Sequence, residues 1–307
     1  MDERRYDVVA ISAVPVDLVL KMVDNDWPPI GKNGLVEYVG HLPGGPPANM
    51  VSAAAHLGLK TAHVAIVPAG DDAQRVISEF EKHGVSTEFI QVQEGVPHAF
   101  TVVVIFPHGE RSILITDSKW RGYDPDMARQ ALSQARFFTT MPSNLEYFFE
   151  LAAIARSHGT GVLADVDHGT IKDGRELDRL LAAVTIMSFN QYGFESYIGA
   201  KPTFDTMRPL LDKGPEVIVV TRAGEGAIAV TRDELAEHPG FRVSMVDTTG
   251  AGDNFNAGFL TATLRGMPLA ERLRFANAAA AIKVGKLGPR SSAESFDEVM
   301  RFIAAHS

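Results

Sequence analysis

Apolar runs of strand length alternate with amphipathic stretches of helix length along most of the chain. The strand-like runs fall at residues 7–13, 61–67, 137–140, 161–165, 185–189 and 216–221. Short runs of this kind mark strands covered on both faces. Between them the helix ends are legible. A small-residue helix is expected over residues 46–57, opened by two prolines whose fixed φ suits a first helical turn. Asp72 is the expected cap of a helix that stops near Gly84, Asp124-Pro125 opens another, and Ser295 and Glu298 have capping-box spacing before the last. Strand–helix–strand alternation predicts an α/β fold: a doubly wound, mostly parallel sheet with helices on both faces.

Two stretches break the alternation. Residues 35–41 come before the first helix, and residues 99–106 and 111–115 flank Pro107-His108-Gly109-Glu110, a hairpin signal. They predict a small β-sheet lid, with segments at about 14–43 and 98–118 inserted in a single domain over residues 1–307. The edges of such a sheet want a partner, so the lid is expected to cover an active site or to form a homodimer contact.

Charge and composition narrow the function. The balance of 29 Lys+Arg against 38 Asp+Glu gives a net charge of −9 with no long basic run, which argues against a nucleic-acid surface. The absence of cysteine excludes disulfides, thiolate catalysis and Cys-ligated zinc. The first apolar stretch stops at Pro15, too short for a membrane span, so a soluble cytoplasmic protein with no membrane partner is expected. The histidines show no HExxH spacing, and neither a GxSxG elbow nor a Walker A loop occurs.

The chemistry concentrates in two segments. In Asp247-Thr248-Thr249-Gly250-Ala251-Gly252-Asp253 an apolar strand, expected at residues 241–246, runs through a small-residue turn into a helix. Gly250 and Gly252 let successive N–H groups converge at a helix N-terminus, which makes an anion hole. Asp253 on its rim is either a base for an attacking hydroxyl or an ordinary helix cap. In Gly44-Gly45-Pro46-Pro47-Ala48-Asn49 two glycines allow close approach of a ligand, and Asn49 offers a donor and an acceptor suited to a vicinal diol. Asp17, just past Pro15, reads by default as a loop carboxylate. Arg111 is within reach of an anionic substrate from the lid but reads as a general lid residue. Trp27 and Trp120 either shelter a sugar face or pack.

Together these two motifs resemble the ribokinase-like (phosphofructokinase B-type) carbohydrate kinase family, from Asp7 to about Ser307. The resemblance implies an ATP-dependent kinase with Mg²⁺, a doubly wound domain and a β lid. It implies Asp253 as catalytic base, with the amides of Gly250, Ala251 and Gly252 on the transferring phosphoryl group. Asp17, Gly44, Gly45 and Asn49 would hold the sugar. Thr221 and Gly226, in Thr221-Arg222-Ala223-Gly224-Glu225-Gly226, and Asn277 would line the nucleotide, with Asn190 near the phosphates. Asp247, Thr249, Gly288 and Ser292 match a site that in some members holds a monovalent cation, K⁺, and Pro289-Arg290 offers a fixed positive charge as the alternative to it. The sequence departs from the family at the NxxE motif, where Gly193 replaces the glutamate and Glu195 is the nearest carboxylate to hold magnesium through water. Asp165-Val166-Asp167 stands where many members have Asp-Pro-Asn.

The lid segments 35–41 and 99–115 contain one arginine and no lysine, too little to pair a phosphate dianion leaving water. The expected substrate is therefore a hydroxyl, primary by analogy, of an unphosphorylated sugar or sugar acid. A nucleoside, with Phe100 or Phe106 as platform, comes next, and a sugar phosphate last. A non-catalytic sugar- or nucleotide-binding member is the reading from a different class.

Overall fold

The computed structural model describes residues 4–97, 100–108, 111–115, 122–167 and 169–306. In it the chain runs β1 (Tyr6–Ile11), β2 (Val16–Met22), β3 (Val36–Pro43), α1 (Pro46–His56), β4 (Thr61–Pro68), α2 (Asp71–Lys82), β5 (Ile90–Gln93), β6 (Phe100–Ile105) and β7 (Arg111–Ile115). It continues through α3 (Pro125–Ser133), β8 (Ala135–Thr140), α4 (Leu145–Ser157), β9 (Gly161–Val166), α5 (Gly174–Ala183), β10 (Ile186–Asn190), α6 (Gln191–Ile198) and α7 (Phe204–Met207). The remainder holds β11 (Val217–Thr221), β12 (Ala227–Val230), β13 (Leu235–His238), α8 (Ala251–Leu264), α9 (Leu269–Val284) and α10 (Phe296–Ala305).

The period-2 alternation of strand side chains divides the interior into two cores. Val8 and Ala10 of β1, with Val217 and Val219 of β11, face a core shared with α1, α2, α8, α9 and α10. Val9 and Ile11, with Ile218 and Val220, face a second core shared with α3 to α7. Helices on both faces remove the strands from water, which is why these runs are apolar throughout rather than alternating.

The main sheet has the order β13-β12-β11-β10-β9-β8-β1-β4-β5, parallel from β11 to β5 with antiparallel β12 and β13 at one edge. The chain winds outward from β1 to β5 on one side and from β8 to β13 on the other. Sheets of this kind bind ligands beyond the carboxyl ends of their strands near that reversal. A separate sheet, β3-β2-β6-β7, stands off the main one and covers that end. It has a small core of its own, formed by Met22, Val104 and Phe106.

Several local expectations differ from the structure. Residues 241–246 form no strand. After β13 the chain breaks at Pro239-Gly240 and reaches α9 without regular structure, where the Val246 and Asp247 amides both donate to the Val284 carbonyl. The cap of α2 is Gly70, and Asp72 lies in its first turn bonded to Arg75. Ser295 caps α10, but Glu298 reaches back to the amide of Glu294 instead of that of Ser295. Strand β2 had no signal of its own within the lid segment. Gly109, Glu110 and Trp120 lie outside the described residues. Trp27 donates to Ser112 Oγ at 3.2 Å and meets Phe106 edge-on at 5.7 Å, a contact inside the lid.

Candidate active site

The turn before α8 has a backbone that its sequence requires. Gly250 has φ +80° and is the N-cap, and a Cβ there would lie 2.5 Å from the Pro289 carbonyl oxygen. Only glycine fits both demands. Ala251, Gly252 and Asp253 follow as the first three helical residues. The Ala251 amide donates back to the Thr248 carbonyl at 3.1 Å, closing the turn, while those of Gly252 and Asp253 stand at the positive end of the helix dipole.

Asp253 is met from α1. Asn49 Nδ2 donates to Asp253 Oδ2 at 2.9 Å, while Asn49 Oδ1 accepts from Arg290 Nε at 3.2 Å. Arg290 also donates from Nη2 to the Gly44 carbonyl at 3.0 Å. Burial pushes the Asp253 carboxyl up to about 7, against the pull of Asn49 and Arg290. Burial brings Arg290 down to about 10, so it remains a cation at neutral pH.

Asp17, expected in a loop, sits on β2 opposite Thr101 of β6 and accepts from the Thr101 hydroxyl. A Cβ at Gly44 would displace the Asp17 carboxylate, so the glycine leaves that carboxylate its place where the two lid strands meet the helix. Asp17, Gly44, Asn49 and Asp253 thus surround one space with Arg290 beneath it. Gly45 caps α1 next to them.

On the other side of the turn a cavity of about 460 Å³ runs from Thr221 and Gly226 past Asn277 to Ala251 and Gly252. Phe241, Arg242, Val243 and Met245, from the segment that failed to form a strand, supply one wall. Asn190, at the end of β10, is the register partner of Thr221 and caps α6 by accepting from the Gly193 amide at 2.7 Å. Its Nδ2 donates to Asp167. Asp165 accepts from Asn256 Nδ2 at 2.9 Å, and burial together with repulsion from Asp253 and Asp167 lifts its carboxyl to about 7.

Among the described residues no three His, Cys, Asp or Glu side chains form a metal cage. Mg²⁺ does not need one: it is commonly held by one or two carboxylates together with phosphates and water. Asp165 and Asp167 supply such oxygens beside Asn190. Glu195 accepts from Gln191 Nε2 at 2.7 Å, one turn back on its own helix.

Of the residues expected around a monovalent cation, Asp247, Thr249 and Gly288 come together. The Thr249 amide donates to Asp247 Oδ1 and the Gly288 amide to Oδ2, each at 2.9 Å. Burial alone would raise the Asp247 carboxyl, but these amides and Lys283 bring it below its ordinary value. The Ser292 hydroxyl is bonded instead to His56 Nδ1 at 2.8 Å.

Three residues in or beside the site had no functional reading in the sequence: Asp165, Asp167 and Lys283. Arg290, read there as a fixed charge in place of the cation, lies instead on Asn49 and the Gly44 carbonyl. Arg111 was read as a general lid residue. Its Nη1 lies 3.0 Å from Thr249 Oγ1 and 3.4 Å from Thr248 Oγ1, so the lid reaches the anion turn itself. The available signal was the pair Asp165-Val166-Asp167 at the end of an apolar run, where a strand delivers side chains to a site.

The profile of the pfkB family carbohydrate kinases matches residues 6–295. A ribokinase of Haemophilus influenzae is 28% identical over 282 residues, covering 89% of each chain. A 5-dehydro-2-deoxygluconokinase of Shouchella clausii is 25% identical over 320 residues, covering 98% of this chain and 96% of its own. The solved structure of Arabidopsis thaliana ribokinase complexed with ribose and ATP superposes with a TM-score of 0.82 at 22% identity, covering 97% of this chain and 98% of that one. With residues 6–295 matched by the family's profile and the fold shared along nearly the whole chain, the chain belongs to the pfkB family of carbohydrate kinases.

Proposed function

We propose that this ATP-dependent sugar kinase phosphorylates a hydroxyl, primary by preference, of a small unphosphorylated sugar or sugar acid, with Asp253 as general base. The observation that carries the reading is the Asp253 carboxyl. It is held near neutrality and oriented by Asn49, at the N-terminus of α8, between the cavity and the space lined by Asp17 and Gly44. A base with a pKa near the working pH has the best balance of ionised fraction and proton affinity.

Asp17, Gly44, Gly45 and Asn49 bind the sugar so that its hydroxyl faces Asp253. Asp253 takes the hydroxyl proton as the oxygen bonds to the γ-phosphorus. The bond to the β,γ-bridging oxygen breaks, and ADP leaves with that electron pair. The amides at Gly250, Ala251 and Gly252, joined by the Arg111 guanidinium, face the charge on the transferring group. Thr221, Gly226 and Asn277 orient the nucleotide, and Asn190 the phosphates. Bound Mg²⁺ supplies neutralisation of the β- and γ-phosphates, and Asp165 and Asp167 are the residues that would hold it.

The preference for an unphosphorylated substrate is supported by the charges present. Arg290 is a buried cation at the sugar end, with Nε and Nη2 engaged by Asn49 and Gly44, Asp17 facing it, and Nη1 left as its one donor unpartnered among the described residues. A phosphate dianion would need further cations. The relative named for a gluconate derivative favours keeping sugar acids in the class. Of the two aromatic platforms for a nucleoside, Phe106 is buried within the lid and Phe100 alone is exposed, so the nucleoside reading stands second. Exposed Tyr38, Leu114 and Ile115 on the lid support a homodimer through that sheet, and ATP as donor supports a cytoplasmic site of action.

The test is a panel of neutral sugars, sugar acids, nucleosides and sugar phosphates incubated with Mg-ATP, followed by ADP release. ADP tied to a sugar or sugar acid is expected. A kcat/KM for a sugar phosphate or nucleoside above that of every neutral sugar and sugar acid overturns the substrate assignment, and silence across the panel favours a binding role.

A further inference from the structure

Lys283 is fully buried in the last turn of α9, and its ammonium points beneath the anion turn. Nζ donates to the Asp247 carbonyl at 2.8 Å and to the Lys286 carbonyl at 3.2 Å, and lies 3.4 Å from Asp247 Oδ2. One tethered charge therefore links the start of the turn to the loop that follows α9. That loop also supplies the Pro289 carbonyl packed against Gly250 and the Gly288 amide on Asp247.

These are the surroundings in which the family resemblance implied a monovalent cation, and the donor set does not fit an added one. The carbonyl and carboxylate oxygens of Asp247 already face an ammonium. Both carboxylate oxygens carry a backbone amide as well, and the Ser292 hydroxyl is committed to His56. A second positive charge in contact with the fully buried Lys283 ammonium would meet like-charge repulsion.

We propose that the Lys283 ammonium is this chain's built-in replacement for the monovalent cation, a positioning residue that orders the Asp247–Gly250 turn and makes the protein independent of K⁺. An ammonium has the same unit charge as K⁺ and the same demand for oxygen partners. Carried on α9, it is present at full occupancy whatever the salt. Its effect on phosphoryl transfer is indirect, through the amides that follow Thr249. The inference rests on the kinase reading for its rate measurement only.

The experiment compares wild type with Lys283→Met in KCl and in tetramethylammonium chloride at equal ionic strength, by melting temperature and by ADP release. Wild type is expected to melt at the same temperature and to turn over within about twofold in the two salts, since no linked binding occurs. Lys283→Met removes the charge and its bonds to the Asp247 and Lys286 carbonyls. K⁺ should then raise the variant's melting temperature by several degrees and restore at least about tenfold of lost activity, whereas tetramethylammonium is too large to enter. If Lys283→Met does not fold in tetramethylammonium, Lys283→Gln, which keeps a hydrogen-bond donor without the charge, takes its place with the same expectation. Activation or stabilisation of wild type by K⁺ contradicts the proposal, as does a variant indifferent to K⁺ in both measurements. A wild type without turnover would remove the kinase reading, and the melting comparison would still decide this one.

Discussion

Asn49 and Asp253, 204 residues apart in sequence, share a hydrogen bond of 2.9 Å from Nδ2 to Oδ2. The bond stabilises the ionised carboxylate against the burial that lifts its pKa to about 7. The dependence of kcat/KM on pH should therefore show an ascending limb near pH 7, because the base works only when deprotonated. Asn49→Leu removes the donor and should move that limb to higher pH while raising KM for the sugar. An unmoved limb would disconnect Asn49 from the base.

Arg290 tests the same electrostatics by charge. It favours ionisation of Asp253, so Arg290→Met should also displace the limb upward. Arg290→Lys keeps the charge but loses the two-point grip on Asn49 and the Gly44 carbonyl. For that variant a higher sugar KM is expected with the limb nearly in place. Identical pH profiles for the two variants would show that the Arg290 charge is not felt at Asp253.

Arg111 is the part of the lid that reaches the anion turn. Removing one donor from charge developing on a phosphoryl group typically costs about 100-fold in kcat. Arg111→Met should lose roughly that factor, with ATP affinity changed far less, because the lid contact matters most when charge builds up. Equal losses in ATP affinity and kcat would make Arg111 a ground-state ligand only.

The turn and its partners differ in how far they were legible in the sequence, and the reason is physical. Gly250, Gly44 and Asn49 lie where backbone geometry or a helix mouth permits few residue types, so their spacing carries information. Arg290 and Lys283 act through tertiary contacts. Arg290 meets Asn49 across 241 residues, and Lys283 reads as one more cation in the last turn of a helix, a favourable place on dipole grounds alone. The segment at 241–246 has strand composition, but the sheet ends at β13 and leaves it to wall the cavity. Asp17 misread as a loop carboxylate for a similar reason: β2 exists only by pairing with β3 and β6.

His63 gives a stability prediction with a fixed sign. It is fully buried on β4, and desolvation lowers its pKa from 6.5 to about 3. The folded state thus keeps His63 neutral while the unfolded chain takes up a proton below about pH 6.5, so this stabilisation is present above that pH and is lost as pH falls. Between pH 7 and 5 the loss is about 2 kcal/mol. Urea unfolding of wild type and His63→Leu at both pH values should show the difference in stability moving by that amount in the variant's favour. A difference that stays constant would contradict a neutral buried imidazole.

The account depends most on Asp253 as the base. Asp253→Asn is nearly isosteric, can still pair with Asn49, and cannot take the hydroxyl proton. With the substrate identified by the ADP panel, the variant's kcat should fall by about 1,000-fold, the middle range for loss of a positioned base. Its dissociation constant for Mg-ATP, measured by calorimetry, should remain within about twofold of wild type, since the nucleotide cavity is untouched. Turnover near the wild-type rate would contradict the mechanism.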